Sequence, residues 1–222
     1  MWCVAKLDEQ YIERMEDVLE VYENPLSASA PVVCIDEKPV VLHEDIRALI
    51  PMRPGQVARR DYEYKRCGTA NVFCGVEPKA GRHFTKVTPT RCTAEFADYL
   101  LETAARYPEA DTIHLVMDNL STHTRKALVE RFGVKAGAWL WNRFTVHYTP
   151  KHGSWLNQAE MEVSLFSRQC LGKRRIGNIA ALRKQARAWD RRVNRDRITI
   201  QWKFTRRQAR RTLHYAITRS KH

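Results

Sequence analysis

The first regular pattern of apolar positions runs through residues 8–23, DEQYIERMEDVLEVYE. Its apolar side chains recur at helical spacing, at positions 11, 12, 15, 18, 19 and 22. Such a stripe indicates an amphipathic helix with one buried face. Asp8 is placed to cap the start of the helix, and Pro25 follows its end. The sequence therefore predicts a helix over 8–23, joined to the rest by a linker that reaches residue 30.

Further along the chain, short apolar runs bounded by turn residues predict strands. These runs are VVCID at 32–36, TANVFCGVE at 69–77, RHFTKVT at 82–88, TIHLVMD at 112–118 and RFTVHY at 143–148. The second and third flank the tight turn PKAG and predict a hairpin, while residues 93–106 have a helical pattern. One helix is expected between the last two strands, and further helices after them. This order predicts an α/β fold, a mixed five-stranded sheet with helices on both faces.

The end of the chain is strongly basic. Residues 163–222 carry 18 lysines and arginines against two aspartates, a balance of +16 in a chain whose net charge is +13. Helical spacing predicts basic amphipathic helices over 179–193 and 205–217, which Trp189, Trp202 and Phe204 are expected to anchor. A polyanion is the natural partner of such a region, and a solvated helical face is the alternative. The candidate phosphate contacts are Arg183, Lys184, Arg187, Arg191, Arg206, Arg207 and Arg210.

A second basic segment, residues 44–67, lies between the first two predicted strands. It is irregular in pattern and carries Arg59 and Arg60, with tyrosines interleaved at positions 62 and 64. It is longer than a structural loop needs to be. We expect it to contact DNA or a second copy of the chain. A plain surface loop is the alternative.

Composition narrows the class of protein. No stretch approaches the roughly 18 continuous apolar residues of a membrane-spanning helix. The N-terminal MWCVAKLDEQ lacks the apolar core of a signal peptide. The six cysteines form no C-x-x-C pair, so a zinc site is not expected. We therefore expect a soluble, cytoplasmic protein with no membrane partner.

Acidic side chains next to the predicted strands are the candidates for chemistry. Asp36 and Asp118 each end an apolar run, and ligands of open α/β sheets collect at strand ends. Glu160 opens the helix after the fifth strand; alternatively, it closes a capping box with Asn157. Glu162 lies about 200° farther around that helix, so both glutamates cannot face the same metal. Converging carboxylates suit Mg²⁺, but an aspartate after a strand often only starts a turn, and spacing leaves both readings open.

Longer motifs occur in a fixed order along the chain: VVCIDEKP, GTANVFCGVEPKAGRH, HLVMDNLSTH and HYTPKHGSWLNQAEMEVSLFSRQCL. Together they closely resemble the catalytic region of bacterial insertion-sequence transposases of the mariner superfamily. The resemblance extends from WCVAKL through WKFTRRQARRTL, nearly the entire chain. It implies a ribonuclease H-like fold and a metal-binding Asp-Asp-Glu triad at Asp36, Asp118 and Glu160. It also implies Mg²⁺ or Mn²⁺ as cofactor, expected as two ions, and supporting roles for Asn119 and His123.

The resemblance also implies a reaction and a division of the chain. Family members cut DNA at transposon ends and join the freed strand to target DNA. Residues 1–30 are then a linker helix and linker, 31–172 the catalytic domain, and 173–222 a basic helical extension packed on it. Lys151 and His152, in the turn before the last motif's helix, are expected to contact phosphate, with a solvated loop as the alternative.

The chain departs from the family in one respect. Mariner-type transposases usually carry helix-turn-helix domains ahead of the catalytic part, whereas here one predicted helix precedes Asp36. We therefore expect the catalytic portion of a split or truncated transposase, acting as a homodimer on double-stranded DNA of the bacterial nucleoid. An upstream helix-turn-helix polypeptide is a candidate partner. Two rivals are a DNA-binding remnant without catalysis and a carboxylate hydrolase such as a glycosidase, which the basic end disfavours.

Overall fold

The computed structural model describes residues 7–215. Helix α1 spans Glu9–Glu23, and Oδ1 of Asp8 accepts a hydrogen bond from the Tyr11 amide at 2.8 Å. The predicted first helix is therefore confirmed together with its cap, and its apolar stripe is buried against the sheet. Most of the WCVAKL motif, and the end of the helix predicted over 205–217, lie outside the described residues.

The strands form one five-stranded sheet in the order β3-β2-β1-β4-β5. They are β1 (Val32–Asp45), β2 (Tyr64–Glu77), β3 (Arg82–Thr88), β4 (Ile113–Met117) and β5 (Phe144–Tyr148). β1, β2 and β3 pair antiparallel, whereas β1, β4 and β5 pair parallel. The predicted mixed sheet is therefore confirmed.

β1 and β2 are longer than their apolar runs predict. Each has 14 residues, and their antiparallel ladder continues past the pair formed by Glu44 and Lys65. The prediction of an irregular segment over 44–67 is thus wrong at both ends, and the connection is 46–63. Opposite charges on facing strands can stabilise such a ladder without apolar residues. The pattern of apolar runs therefore did not predict this part of β1 and β2.

The remaining helices pack on the sheet. They are α2 (Thr93–Ala105), α3 (Arg125–Phe132), α4 (Val134–Trp141), α5 (Ala159–Phe166), α6 (Ile179–Asp196) and α7 (Arg206–Leu213). The single helix expected between the last two strands is split into α3 and α4 by Gly133, whose φ of 85° ends the first of them. α5 continues into one π-helical turn, Ser167–Leu171.

Each face of the sheet has its own apolar core. On one face, α2, α3 and α4 pack against residues that include Ile35 of β1. On the other, α1, α5, α6 and α7 pack against the intervening strand residues, among them Cys34. Because side chains alternate along a strand, Asp36 points to the α5 side with Cys34, and Glu37 to the opposite side with Ile35.

Aromatic side chains fasten the basic end of the chain to this body. Trp189 of α6 is buried among residues of the sheet and α5. The rings of Trp202 and Tyr22 are 5.4 Å apart, as are those of Phe204 and Trp155. Among the described residues, no helix is both long and apolar enough to span a membrane.

Candidate active site

Asp36 and Asp118 meet where β4 ends. β1 and β4 are parallel, with Cys34 opposite Val116, and continuing this register by two residues sets Asp36 beside Asp118. The prediction that the first strand ends at Asp36 is wrong, because β2 goes on pairing with β1 well past that residue. The edge at which the aspartates meet is formed instead by β4, which stops one residue before Asp118.

Glu160 lies in the first turn of α5, on the side of the sheet to which Asp36 points, and is exposed. The turn before it is tied to β1. Nδ2 of Asn157 donates to the Ile35 carbonyl at 2.9 Å, and Oδ1 of Asn157 accepts from the Ala159 amide at 3.1 Å. The capping box considered for Glu160 does not form, since no side chain caps α5 in that way.

The carboxylates influence one another through their charge. Burial raises the pKa of Asp36 to about 7, and the charges of Glu160, Glu37 and Asp118 add to this, although the Glu37 amide donates a hydrogen bond to Asp36. Within residues 7–215, no three His, Cys, Asp or Glu side chains are already arranged to hold a metal ion. The acidic groups are therefore close enough to repel one another without being gathered around one point.

His123 is a buried cation between two of these carboxylates. Nδ1 of His123 donates to Oδ1 of Asp118 at 2.7 Å, and its Nε2 donates to Oε2 of Glu37 at 3.2 Å. Burial alone lowers the pKa of His123, but the two carboxylates outweigh it and raise that pKa to about 9. The hydrogen bond in turn lowers the pKa of Asp118. His123 is 1% exposed, and its ring stacks on that of Phe96 with the centroids 4.5 Å apart.

Asn119 joins the loop that carries Asp118 to α1. Oδ1 of Asn119 accepts from Nη1 of Arg14 at 2.7 Å, and its Nδ2 donates to the Thr149 carbonyl at 2.6 Å. Sequence reasoning did not single out Arg14, because nothing in the helical pattern of α1 indicates a partner 105 residues away.

Glu162 faces away from Glu160, into the protein. Its Oε2 lies 2.8 Å from Nδ1 of His83, and both side chains are 1% exposed. Nε2 of His83 lies 2.8 Å from the Ile198 carbonyl, so both ring nitrogens face oxygen atoms. Burial opposes the charge on His83, but Glu162 outweighs it and raises the pKa of His83. The opposite directions of Glu160 and Glu162 agree with their spacing on the helix, but the sequence did not reveal His83 as the partner of Glu162, since a lone histidine in a strand carries no signal.

Lys151 and His152 lie in the turn between β5 and α5, and both are exposed. The turn closes with the Gly153 amide donating to the Pro150 carbonyl at 2.8 Å. His152 has a φ of 63°, in the left-handed region that few residues other than glycine adopt. Both side chains line a groove of about 220 Å³ that also contains Arg14.

The basic residues of α6 and α7 have different surroundings. On α6, the side chains of Arg183, Lys184, Arg187 and Arg191 are exposed. On α7, Arg206 and Arg210 are paired with glutamates of α1, whereas Arg207 is exposed. The last helix therefore does not present a full row of unpaired guanidinium groups, because Arg206 and Arg210 are paired within the described residues.

The connection 46–63 is an arm whose base is held by ion pairs. Arg60 lies 3.5 Å from Asp45 and donates to the Lys173 carbonyl at 2.8 Å, while Arg59 is exposed. Of the two arginines expected to contact a partner, Arg60 is thus engaged within the chain.

Comparison with known proteins agrees with this geometry. Residues 31–183 match the family model of the DDE superfamily endonucleases. The chain belongs to this family. No curated protein matches it at a significant level. The matched region of this DDE endonuclease contains β1 with Asp36, Asp118 directly after β4, and α5 with Glu160.

Solved structures of the Mos1 mariner transposase share the fold of this DDE endonuclease. The Mos1 paired-end complex with Mn and the Mos1 strand transfer complex both give a TM-score of 0.55, and the paired-end complex with the left transposon end gives 0.56. Each is 16% identical over 89% of this chain. The predicted ribonuclease H-like fold is confirmed. The chain spans 60–61% of the length of those Mos1 chains.

Proposed function

We propose that this chain is the catalytic domain of a mariner-type insertion-sequence transposase, which cuts DNA at transposon ends and joins the freed strand to target DNA. The observation that carries the proposal is geometric: Asp36 lies beside Asp118 in the register of β1 and β4, and Glu160 opens α5 on the side of the sheet to which Asp36 points. Burial, with the charges of Glu160, Glu37 and Asp118, raises the pKa of Asp36 to about 7. A bound divalent cation relieves such repulsion and keeps the carboxylates ionised.

The donor set fits Mg²⁺ or Mn²⁺. Carboxylate oxygens are the ligands that both ions prefer, and Asp36, Asp118 and Glu160 would hold them. When bound, two such ions would polarise a phosphodiester and activate the attacking oxygen. His123 keeps Asp118 ionised, because its hydrogen bond lowers the pKa of that carboxylate. Exposed Glu160 is accessible to ion and substrate alike.

Double-stranded DNA is the proposed substrate. Lys151 and His152, on the loop next to the acidic groups, would contact phosphates close to the cut strand. The exposed row on α6 would contact phosphates farther away. Such contacts fix position but read no sequence. We assign recognition of transposon ends to a helix-turn-helix partner or domain, in keeping with a chain that covers 61% of a Mos1 transposase.

We assign the arm 46–63 to contact with a second copy of the chain. Its outer side chains are apolar yet exposed, with relative exposures of 75% at Met52, 75% at Val57 and 85% at Tyr62. The base is rigid, since Nη2 of Arg175 donates to the backbone carbonyl of Asp61 at 2.8 Å. Exposed apolar side chains suit a protein partner better than DNA, whose phosphates call for charge. Met52→Ser with Tyr62→Ser should lower the mass in solution from dimer to monomer; an unchanged mass would refute the assignment.

The triad is tested by strand transfer from a pre-nicked duplex in Mn²⁺. Asp36→Asn and Glu160→Gln are each expected to abolish transfer, because they remove a charged ligand while keeping its shape. Circular dichroism checks that the fold is intact. The matched control is Glu162→Gln, on the same helix but directed at His83: it should lower the melting temperature while transfer continues. Transfer by Asp36→Asn would contradict the metal role.

DNA binding without catalysis is the second candidate, favoured by the exposed basic side chains of α6. It predicts that the unaltered chain binds duplex DNA but neither nicks nor joins it in Mn²⁺ or Mg²⁺. Adding a helix-turn-helix polypeptide encoded upstream would then restore neither nicking nor joining of DNA.

A further inference from the structure

One buried side chain joins the strand of Asp36 to the helix of Glu160. Asn157 is 2% exposed. Its Nδ2 donates to the carbonyl of Ile35, the residue before Asp36, at 2.9 Å. Its Oδ1 accepts from the amide of Ala159, the residue before Glu160, at 3.1 Å. Each hydrogen bond thus ends one residue away from a carboxylate of the proposed triad.

The turn that contains Asn157 is also held by α1. The hydroxyl of Tyr22 donates to the Leu156 carbonyl at 2.8 Å and accepts from the Gln158 amide at 3.3 Å. Tyr22 is buried, so these bonds are sheltered from competing water. Tyr22 therefore holds the turn against α1, and Asn157 sets the distance of the turn from β1.

We propose that Asn157 is a positioning residue for the reaction, setting Glu160 at the right distance from Asp36. This inference rests on the proposed function of the triad. Glu160 stands in the first turn of α5, where its carboxylate moves with any rotation or shift of the helix start. Without the bond to Ile35, that turn can slide along β1. A misplacement of about 1 Å in a catalytic group can reduce a rate about 100-fold.

Helix capping alone would be a different role, and the chain offers a control for it. Asn178 is the N-cap of α6, with its Oδ1 accepting from the Ala181 amide at 2.8 Å, whereas Asn157 stands one residue before the N-cap of α5 and its Oδ1 accepts from the Ala159 amide. Within the described part of the chain, Asn178 makes no side-chain hydrogen bond to the sheet. Loss of either asparagine removes one acceptor at the start of a helix and should lower stability, but loss of Asn157 alone should change the chemistry.

The test compares Asn157→Ser with Asn178→Ser. Serine can still cap a helix but is too short to reach from the turn to the Ile35 carbonyl. Single-turnover strand transfer at saturating DNA in Mn²⁺ is expected to fall about 100-fold in Asn157→Ser and to stay unchanged in Asn178→Ser. Duplex affinity should stay unchanged in both. The rise in melting temperature on adding Mn²⁺ should shrink in Asn157→Ser, because the carboxylates no longer stand together.

Asn157→Asp provides a second variant of nearly native size. It keeps the acceptor for Ala159 but turns an oxygen toward the Ile35 carbonyl, so the same loss of rate is expected. The inference is overturned if both Asn157 variants transfer strands at the unaltered rate with an unchanged response to Mn²⁺, or if Asn178→Ser loses as much. Absence of transfer and of any Mn²⁺ response in the unaltered chain would overturn the proposed function, and this inference with it.

Discussion

α6 and α7 carry the same kind of side chain in the same pattern, yet their arginines have different partners. Arg187 and Arg191 of α6 are exposed, and among the described residues no carboxylate lies within salt-bridge distance of them. On α7, the guanidinium of Arg206 lies 3.0 Å from Glu20 and 2.9 Å from Glu23. The number of basic residues in a sequence therefore overstates the positive charge that DNA can use.

The acids that distinguish the two helices come from the other end of the chain. Nε and Nη2 of Arg210 donate to the two oxygens of Glu16 at 2.9 and 2.5 Å, a bidentate geometry. Tyr215 donates to Glu16 as well, at 2.6 Å. α7 thus fastens the basic end to α1, while α6 presents its charges to solvent. We infer that α6 contributes DNA affinity and α7 contributes stability.

The largest expected effect comes from removing the charges of α6. A variant with alanine at four basic positions of α6 should bind duplex DNA with a weaker dependence on salt. The slope of log affinity against log salt should become less steep by roughly 3.6, about 0.9 for each of the four lost phosphate contacts. The replaced residues are Arg183, Lys184, Arg187 and Arg191. Titration of a fluorescent duplex at several salt concentrations measures the slope. A slope equal to that of the unaltered chain would remove α6 from the DNA interface.

Much of the fold could be predicted from the sequence, but less of the difference between α6 and α7. The apolar runs predicted the five strands because strands covered on both faces are apolar along most of their length, and the motifs singled out Asp36, Asp118 and Glu160. The missed features depend on polar partners far away in the chain. The contact between Glu16 and Arg210 spans 194 residues, and neither helix reveals it alone.

Even within α7, the exposed and the paired arginines should behave differently. Arg207 and Arg211 are exposed and have no salt bridge within residues 7–215. Replacing both by alanine should reduce the salt slope by about 1.8, half the effect expected for α6. The melting temperature should not change. A fall in melting temperature with an unchanged slope would place these two residues in the packing of α7 rather than at the DNA.

Replacing the paired residues should give the reverse result. Arg206→Ala with Arg210→Ala should leave the salt slope nearly unchanged, because these charges are already neutralised by α1. The free energy of unfolding should fall by about 1–3 kcal/mol, at most about 1 for each of the three ion pairs that are lost. Urea titration measures it. The exchange of Glu16→Arg with Arg210→Glu restores the attraction with opposite sign, so it should be more stable than Arg210→Glu alone. Equal stability of the two would mean that packing, not charge, holds α7.

The smallest effect expected is in the response to acid. Burial by itself raises the pKa of Glu16, but hydrogen bonds from Arg210 and Tyr215 outweigh it and lower that pKa. A carboxylate whose pKa is lower in the folded protein adds stability above its unfolded pKa, about 4.3 for glutamate, and that stability is lost as the pH falls through the folded value. Without Arg206 and Arg210 this contribution is smaller, because only the hydrogen bond from Tyr215 still lowers the pKa of Glu16. The drop in melting temperature between neutral pH and about pH 3 should therefore be smaller in the double variant than in the unaltered chain. Equal drops would show that other carboxylates govern acid unfolding and that the pairs between α1 and α7 are too exposed to contribute.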